Sequence, residues 1–279
     1  MTIHDRTLDV KAPDFAAIKT KQRVAWGSGD YAIVGVTLQI VGENLAEAVD
    51  IRPGDRVLDV AAGNGNATLA AARRFADVTS TDYVDALLDK GRIRARAEGL
   101  PVDFRHADAE ALPFADGQFD TVLSTFGVMF TPNQMQAAAE MMRACRPGGK
   151  IGLANWTPEG FIGALFKTIG KYLPPPAGVS SPALWGTEAH LDRLFAHEAE
   201  TIVVTRREFT FRYHSVGQWL ELFRDYYGPV HKAFAALPPE QQDDLAADLS
   251  ACAHDFNRAR DGRMVVPGDY LEVVVTKRA

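Results

Sequence analysis

The chain has 279 residues, 47% of them hydrophobic, and a formal net charge of −6 at pH 7. That length allows one large domain or a domain with a cap, and the acidic balance argues against a protein that works mainly by neutralising nucleic-acid phosphates. Cys145 and Cys252 lie far apart, with no CxxC and no His/Cys cluster, so no structural metal site is expected and both thiols are expected to be reduced.

Residues 1–14 are polar and charged up to Pro13 and read as a loose arm without the apolar core of a signal peptide. No stretch approaches the ~18 apolar residues of a membrane helix. The expectation is a cytoplasmic protein with no membrane partner. Helical spacing predicts helices over 15–26 and 31–49, separated by Gly27-Ser28-Gly29-Asp30, with Gly35 and Gly42 loosening the second. After the turn Pro53-Gly54-Asp55 the pattern alternates: strand 56–60, helix 66–75, strand 77–81, helix 84–98, strands 102–106 and 119–124, helix 133–145. Arg146-Pro147-Gly148-Gly149 reads as a turn and 150–156 as the fifth strand. Such alternation implies a parallel sheet with helices on both faces. Further on, 159–172 is expected to be helical, Pro174-Pro175-Pro176 a rigid connector, and 187–195 a helix capped by Thr187. Strand material falls at 201–204 and 208–213, helices at 215–257 with breaks at Gly228-Pro229 and Pro238-Pro239, and a closing strand at 270–276.

The most informative stretch is Val57-Leu58-Asp59-Val60-Ala61-Ala62-Gly63-Asn64-Gly65-Asn66. It reads as a buried strand entering a glycine turn and a helix, the place where open α/β sheets bind nucleotide-like cofactors. Gly63 and Gly65 let the backbone bend sharply and let a ligand approach the main chain. A dinucleotide site would place a third small residue where this chain has Thr68. Asp59 would repel a pyrophosphate and suits a ligand with an amino group. A nucleoside carrying a zwitterionic amino-acid tail and no phosphate fits better, and S-adenosylmethionine is such a molecule. Asp82, followed by Tyr83, ends the second strand about 20 residues after the glycines, where an acid accepts hydrogen bonds from ribose hydroxyls. Asp108, with the backbone of Ala109 beside it, is placed to meet the adenine amino group under cover of Leu112 or Phe114. Glu110 is either a further contact or a local brace.

These segments resemble the class I, Rossmann-like S-adenosylmethionine-dependent methyltransferases, and within them the broad bacterial group that includes the ubiquinone/menaquinone-biosynthesis methyltransferases. The matching residues are LDVAAGNG at 58–65, TD at 81–82, DAEALPF at 108–114, FD at 119–120 and RPGG at 146–149, a strong match over roughly 50–157. Ala61 departs from the pattern, which opens its turn with glycine. The resemblance implies a mainly parallel seven-stranded sheet with helices on both faces, N-terminal helices, and S-adenosyl-L-methionine as cofactor. It places the cofactor at Asp59, Ala61, Gly63, Asn64, Gly65, Asp82, Tyr83, Asp108, Ala109, Glu110, Ser124 and Phe126. The family joins its last two strands by a short hairpin, so the intervening residues imply a helical cap. The expected divisions are an N-terminal helical segment 1–50, a core of 51–214 and 262–279, and a cap of 215–261.

Methyl transfer from a sulfonium is an in-line displacement in which positioning and exclusion of water do most of the work, so a dedicated base need not appear. The weak catalytic candidates are Tyr31, on a segment that closes over the cofactor in related enzymes, and His231, within the aromatic stripe Trp219, Phe223, Tyr226, Tyr227 and Phe234. That stripe is either core or a roof over the acceptor. Phe126, Met129, Phe130 and Trp156 either line the pocket or pack in the core. His214 and His254 read as surface residues and His106 as a poor base. The basic run Lys90, Arg92, Arg94, Arg96 reads as a solvated helix face. The reading is an enzyme that methylates an O, N, S or C atom of a small, partly apolar molecule, as a monomer or homodimer. Its rivals are an NAD(P)-linked oxidoreductase and a non-catalytic S-adenosylmethionine-binding protein.

Overall fold

A computed structural model describes residues 13–279; of the arm expected over 1–14, residues 1–12 lie outside the described residues. The chain enters through α1 (Phe15–Gly27), α2 (Ala32–Gly35), a 3-10 turn (Val36–Leu38) and α3 (Gln39–Ala48). The alternating part follows as β1 (Arg56–Val60), α4 (Asn66–Ala72), β2 (Asp77–Asp82), α5 (Asp85–Ala97), β3 (Val102–His106), β4 (Phe119–Thr125), α6 (Gln134–Ala144) and β5 (Cys145–Trp156). Then come α7 (Phe161–Tyr172), α8 (Glu188–Phe195), β6 (Ala199–Tyr213), α9 (Val216–Tyr226), α10 (Gly228–Ala236), α11 (Pro239–Phe256) and β7 (Met264–Lys277). Among the described residues no helix is long and apolar enough to cross a membrane.

All seven strands form one sheet in the order β3-β2-β1-β4-β5-β7-β6. The first five are parallel, and β7 runs antiparallel between β5 and β6. The chain starts in the middle at β1, builds outward to β3, then returns to β4. Between β1 and β4 the strand order reverses, which opens a crevice at their carboxyl ends. Each buried strand splits its side chains between two cores. Val57 joins Leu45, Ala67 and Ala70 beneath α3 and α4. Leu58 and Val60 face the opposite core with Met141 and Met142 of α6. Two apolar layers on one sheet explain why β1 carries apolar residues on both of its faces.

Three elements differ from expectation. The expected helix over 31–49 is interrupted by the 3-10 turn, because the segment bends to lay its glycines on the start of α4. A Cβ on Gly42 would stand 2.7 Å from the backbone carbonyl carbon of Asn66. Second, β6 is one strand of 15 residues and β7 begins at Met264. The expected strand pieces 201–204 and 208–213 are thus joined, and the closing strand expected at 270–276 starts earlier, with Pro267 and Gly268 pairing with Thr210 and Phe209. Because β5 pairs with β7 only from Tyr270 onward, β7 has a neighbour on one side at Pro267, where a proline is tolerated. Third, Arg146-Pro147-Gly148-Gly149 lies within β5 as an irregularity between the Phe119 and Thr121 pairings, with Gly148 at φ 67°.

Candidate active site

The glycine turn leaves β1 with Ala61, Gly63 and Gly65 at φ 52°, 57° and 83°. Ala61 adopts the left-handed conformation despite its Cβ, at a cost of about 1–2 kcal/mol, and is held there by packing. Gly127, just after β4, comes so near that a Cβ on it would overlap the Ala61 carbonyl. Above Gly63 the space is open, since a Cβ there would meet only the Tyr31 ring, at 3.7 Å. Asn64 is buried, and its Nδ2 has no hydrogen-bond partner among the described residues.

Asp82 closes the turn from β2. Its Oδ2 accepts from the Gly63 amide at 2.9 Å and its Oδ1 from the Val84 amide at 2.8 Å. Burial pushes the carboxyl up to about 6 against these amide donors. Asp59 is placed differently. It shares the face of Val57, so its carboxylate lies beneath α4, where Oδ2 accepts from the amide and hydroxyl of Thr68 at 2.8 and 2.6 Å. Its Oδ1 is buried without a partner among the described residues, and burial pushes this carboxyl up to about 7. The expected ligand contact of Asp59 is therefore corrected: strand alternation turns its side chain away from the crevice. Thr68, read as a misplaced third small residue, is the partner that holds it.

The crevice opens into a cavity of about 970 Å³, part of it continuous with solvent. Of the expected residues, Ala61, Gly63, Asn64, Asp82, Tyr83, Phe126 and Tyr31 line it. Beyond the turn the walls become aromatic. Phe126, at φ 61°, stacks on Trp156 at 3.9 Å with an interplanar angle of 3°. Trp26 meets Tyr31, Phe130 and Tyr227 edge to face at 5.4, 4.9 and 5.8 Å. From the expected stripe, Phe223 and Tyr227 reach the cavity, while Trp219 is core. Burial raises the hydroxyl pKa of Tyr31 and of Tyr227 well above the usual phenol value, so neither is poised to act as a base.

The remaining expected residues do not line the cavity. Gly65 caps α4. Ser124 braces the turn by donating to the Val60 carbonyl at 2.7 Å and accepting from the Val128 amide at 3.1 Å. Ala109 is buried in the core. Asp108 and Glu110 stand under α1, whose Lys19 Nζ lies 2.6 Å from Asp108 and 3.0 Å from Glu110. Glu110 also accepts from the Asn133 amide at 2.7 Å, which makes it a brace. His231 is corrected as a catalytic candidate: its Nδ1 faces the Arg224 carbonyl at 2.9 Å and the residue is absent from the cavity wall. It lies on α10, whereas Trp219, Phe223 and Tyr226 lie on α9.

Sequence reasoning missed Asn66, Leu87, Thr125, Thr131, Ile162 and Phe211 on the wall. Asn66 carried a signal, as a polar residue opening a helix beside two glycines. Ile162 and Phe211 carried none, because they are ordinary apolar residues of α7 and β6. Lys19 was also missed: α1 holds no fully buried residue, so nothing in its pattern marks the side that meets Asp108.

Comparison with known proteins agrees with this geometry. The methyltransferase domain family matches residues 57–149. Two uncharacterised proteins of Mycobacterium tuberculosis, Rv1403c and Rv1405c, are each 40% identical, over 92% and 98% of this chain and 93% and 100% of their own lengths. A demethylmenaquinone methyltransferase of Renibacterium salmoninarum is 40% identical over 45% of this chain and half of its own. In fold, a putative methyltransferase of Bacillus halodurans matches with a TM-score of 0.58 at 19% identity, covering 85% of this chain and 98% of its own. The protein is thus a methyltransferase with a Rossmann-like sheet. The chain carries this domain on a class I methyltransferase fold, and it belongs to one family with the two mycobacterial proteins.

Proposed function

We propose that the protein methylates an O, N, S or C atom of a small, partly apolar molecule, and that the acceptor occupies the aromatic end of the cavity. The observation that carries this reading is the continuity of one cavity from the glycine turn and Asp82 to the rings of Phe126, Trp156 and Trp26. The turn suits the cofactor: the surface over Gly63 is open, and Asn64 offers an unused buried donor. When bound, S-adenosylmethionine supplies a methyl group on a positively charged sulfur.

The residues divide the remaining work. Asp82 accepts from the ribose hydroxyls, and Asn64 Nδ2 donates to the amino-acid end. Asp108, which Lys19 reaches from α1, marks the adenine end. Tyr31, Trp26 and Phe130 exclude water and present rings, whose faces attract cations. Tyr31 orients rather than deprotonates, given its raised pKa. Catalysis in this scheme is positioning and desolvation. The helices 215–261 act as the cap, through Phe223 and Tyr227. We place the enzyme in the cytoplasm, acting on a free small molecule, as a monomer or homodimer.

Calorimetry with S-adenosylmethionine and S-adenosylhomocysteine tests the cofactor half, and absence of binding at millimolar ligand would end the reading. A turnover screen of phenols, thiols, amines and quinone-like acceptors tests the other half. Tight cofactor binding with no methylation across the screen would favour a binding protein.

A further inference from the structure

Arg94 was expected on the solvated basic face of α5, and the structure places it beneath the cofactor turn. Its Nη1 donates to the Asn64 carbonyl at 2.7 Å and to Asn66 Oδ1 at 2.8 Å. The Nδ2 of Asn66 then donates to the Gly35 carbonyl at 2.7 Å. Gly35 lies so close to the turn that a Cβ on it would stand 2.6 Å from Asn64 Oδ1 and 2.9 Å from the Tyr31 ring. Among the described residues no carboxylate makes a salt bridge with Arg94, whereas Lys90 and Arg92 on the same helix pair with Asp30 and Asp89. Its guanidinium is directed instead at a backbone carbonyl and an amide oxygen.

We infer that Arg94 is a positioning residue for the methyl donor, holding Asn64 and the turn in the shape that receives the amino-acid end and, through Asn66, tying that turn to the segment that carries Tyr31. The physical need is clear from the turn itself. Three of its residues sit in the left-handed region, and Asn64 is 2% exposed. Without Arg94 the buried Asn64 carbonyl would lose this charged donor, and an unsatisfied buried polar group drives a backbone to rearrange. Rotation of that peptide would carry the Asn64 side chain away from the cavity. The Asn66 bridge would lose the donor that orients its amide, loosening Gly35 and with it Tyr31.

The inference rests on the cofactor reading above, and its test separates the two. The affinities of S-adenosylhomocysteine and of adenosine, which lacks the amino-acid end, are measured by calorimetry on the full chain and on R94M, R94K, N66A and R94M/N66A. R94M should weaken S-adenosylhomocysteine at least tenfold and adenosine less than threefold, with the melting temperature lowered by only a few degrees. R94K, able to restore one of the two bonds, should recover part of the loss. The double variant should be no more than threefold worse than the weaker single one, because both residues act on the same turn. If R94M does not fold, the ratio of the two affinities in R94K and N66A decides the matter. Unchanged S-adenosylhomocysteine affinity, equal losses for both ligands, or fully additive losses would overturn the role of Arg94. Failure of the unmodified protein to bind either ligand would instead remove the cofactor reading.

Discussion

At one end of the cavity, the turn and Asp82 are held by directional bonds: carboxylate to amide, guanidinium to carbonyl, asparagine to carbonyl. At the other end, Trp26, Tyr31, Phe130, Phe223 and Tyr227 hold one another by ring packing. The first kind of wall has one satisfactory arrangement, since a displaced buried donor or acceptor loses its partner. The second tolerates changes of shape, since apolar contacts are short-range and non-directional. Under the proposed placement of donor and acceptor, the difference teaches how one fold could change its acceptor: substitutions at the aromatic end would alter what fits there and leave the bonded turn in place.

The strongest way to break this contrast is Gly63→Val. A valine at φ 57° is strained by about 1–2 kcal/mol or more, and it projects into the open space over the turn. Loss of S-adenosylhomocysteine affinity by more than roughly a hundredfold is expected in calorimetry. Unchanged affinity would mean that the ligand does not lie on the turn. Next comes Asp82→Ala, which removes an acceptor worth about 1.5–3 kcal/mol per charged bond, or roughly tenfold to a hundredfold in affinity. The pH dependence sharpens this prediction. Asp59 and Asp82 are raised from 3.8 to about 7 and about 6, so the folded chain holds these protons more tightly than the unfolded one. Their contribution to stability is present below about pH 4 and is lost as the pH rises to about 7. Cofactor affinity should run the other way, rising through about pH 6 as the Asp82 carboxylate ionises. Denaturant melts and calorimetry over that window should therefore show opposed slopes, and parallel slopes would contradict the assignment of Asp82.

Trp26→Ala should act mainly on the aromatic end. Removing the ring that meets three others should raise the KM of an acceptor found in the screen about tenfold, while cofactor affinity moves less than about threefold. Equal effects on both would show that the two ends are not separable. The smallest effect is expected for His231→Ala, within about twofold in kcat and KM, because the imidazole faces a carbonyl outside the cavity. A large fall in kcat would restore it as a catalytic group.

The parallel half was legible because its code is local. The run Val57–Val60 with its glycines, the acid at Asp82 and the alternation of elements each follow from a few consecutive residues, and the structure places β1, β2 and the turn accordingly. Asp59 shows where local reading stops. Its place in the motif suggested a ligand contact, but alternation along β1 sends it under α4 to Thr68. Arg94 failed in the opposite direction. Among four basic residues on one helix it read as solvated, and only the approach of the turn to α5 gives it buried oxygens to bind. The full length of the β6–β7 pairing was invisible for a related reason, since the register that joins 201–204 to 208–213 and extends β7 back to Met264 is set by the partner strand.

The sequence by itself determined the sheet type, the glycine turn, the acid beside it and hence the class of cofactor, because these depend on residue type at short spacing. The tertiary structure alone decided which aromatic rings face the cavity, that Lys19 of α1 meets Asp108, and that Arg94 lies under the turn. Those contacts join residues tens to hundreds of positions apart, and their partners are set by how the helices pack on the sheet.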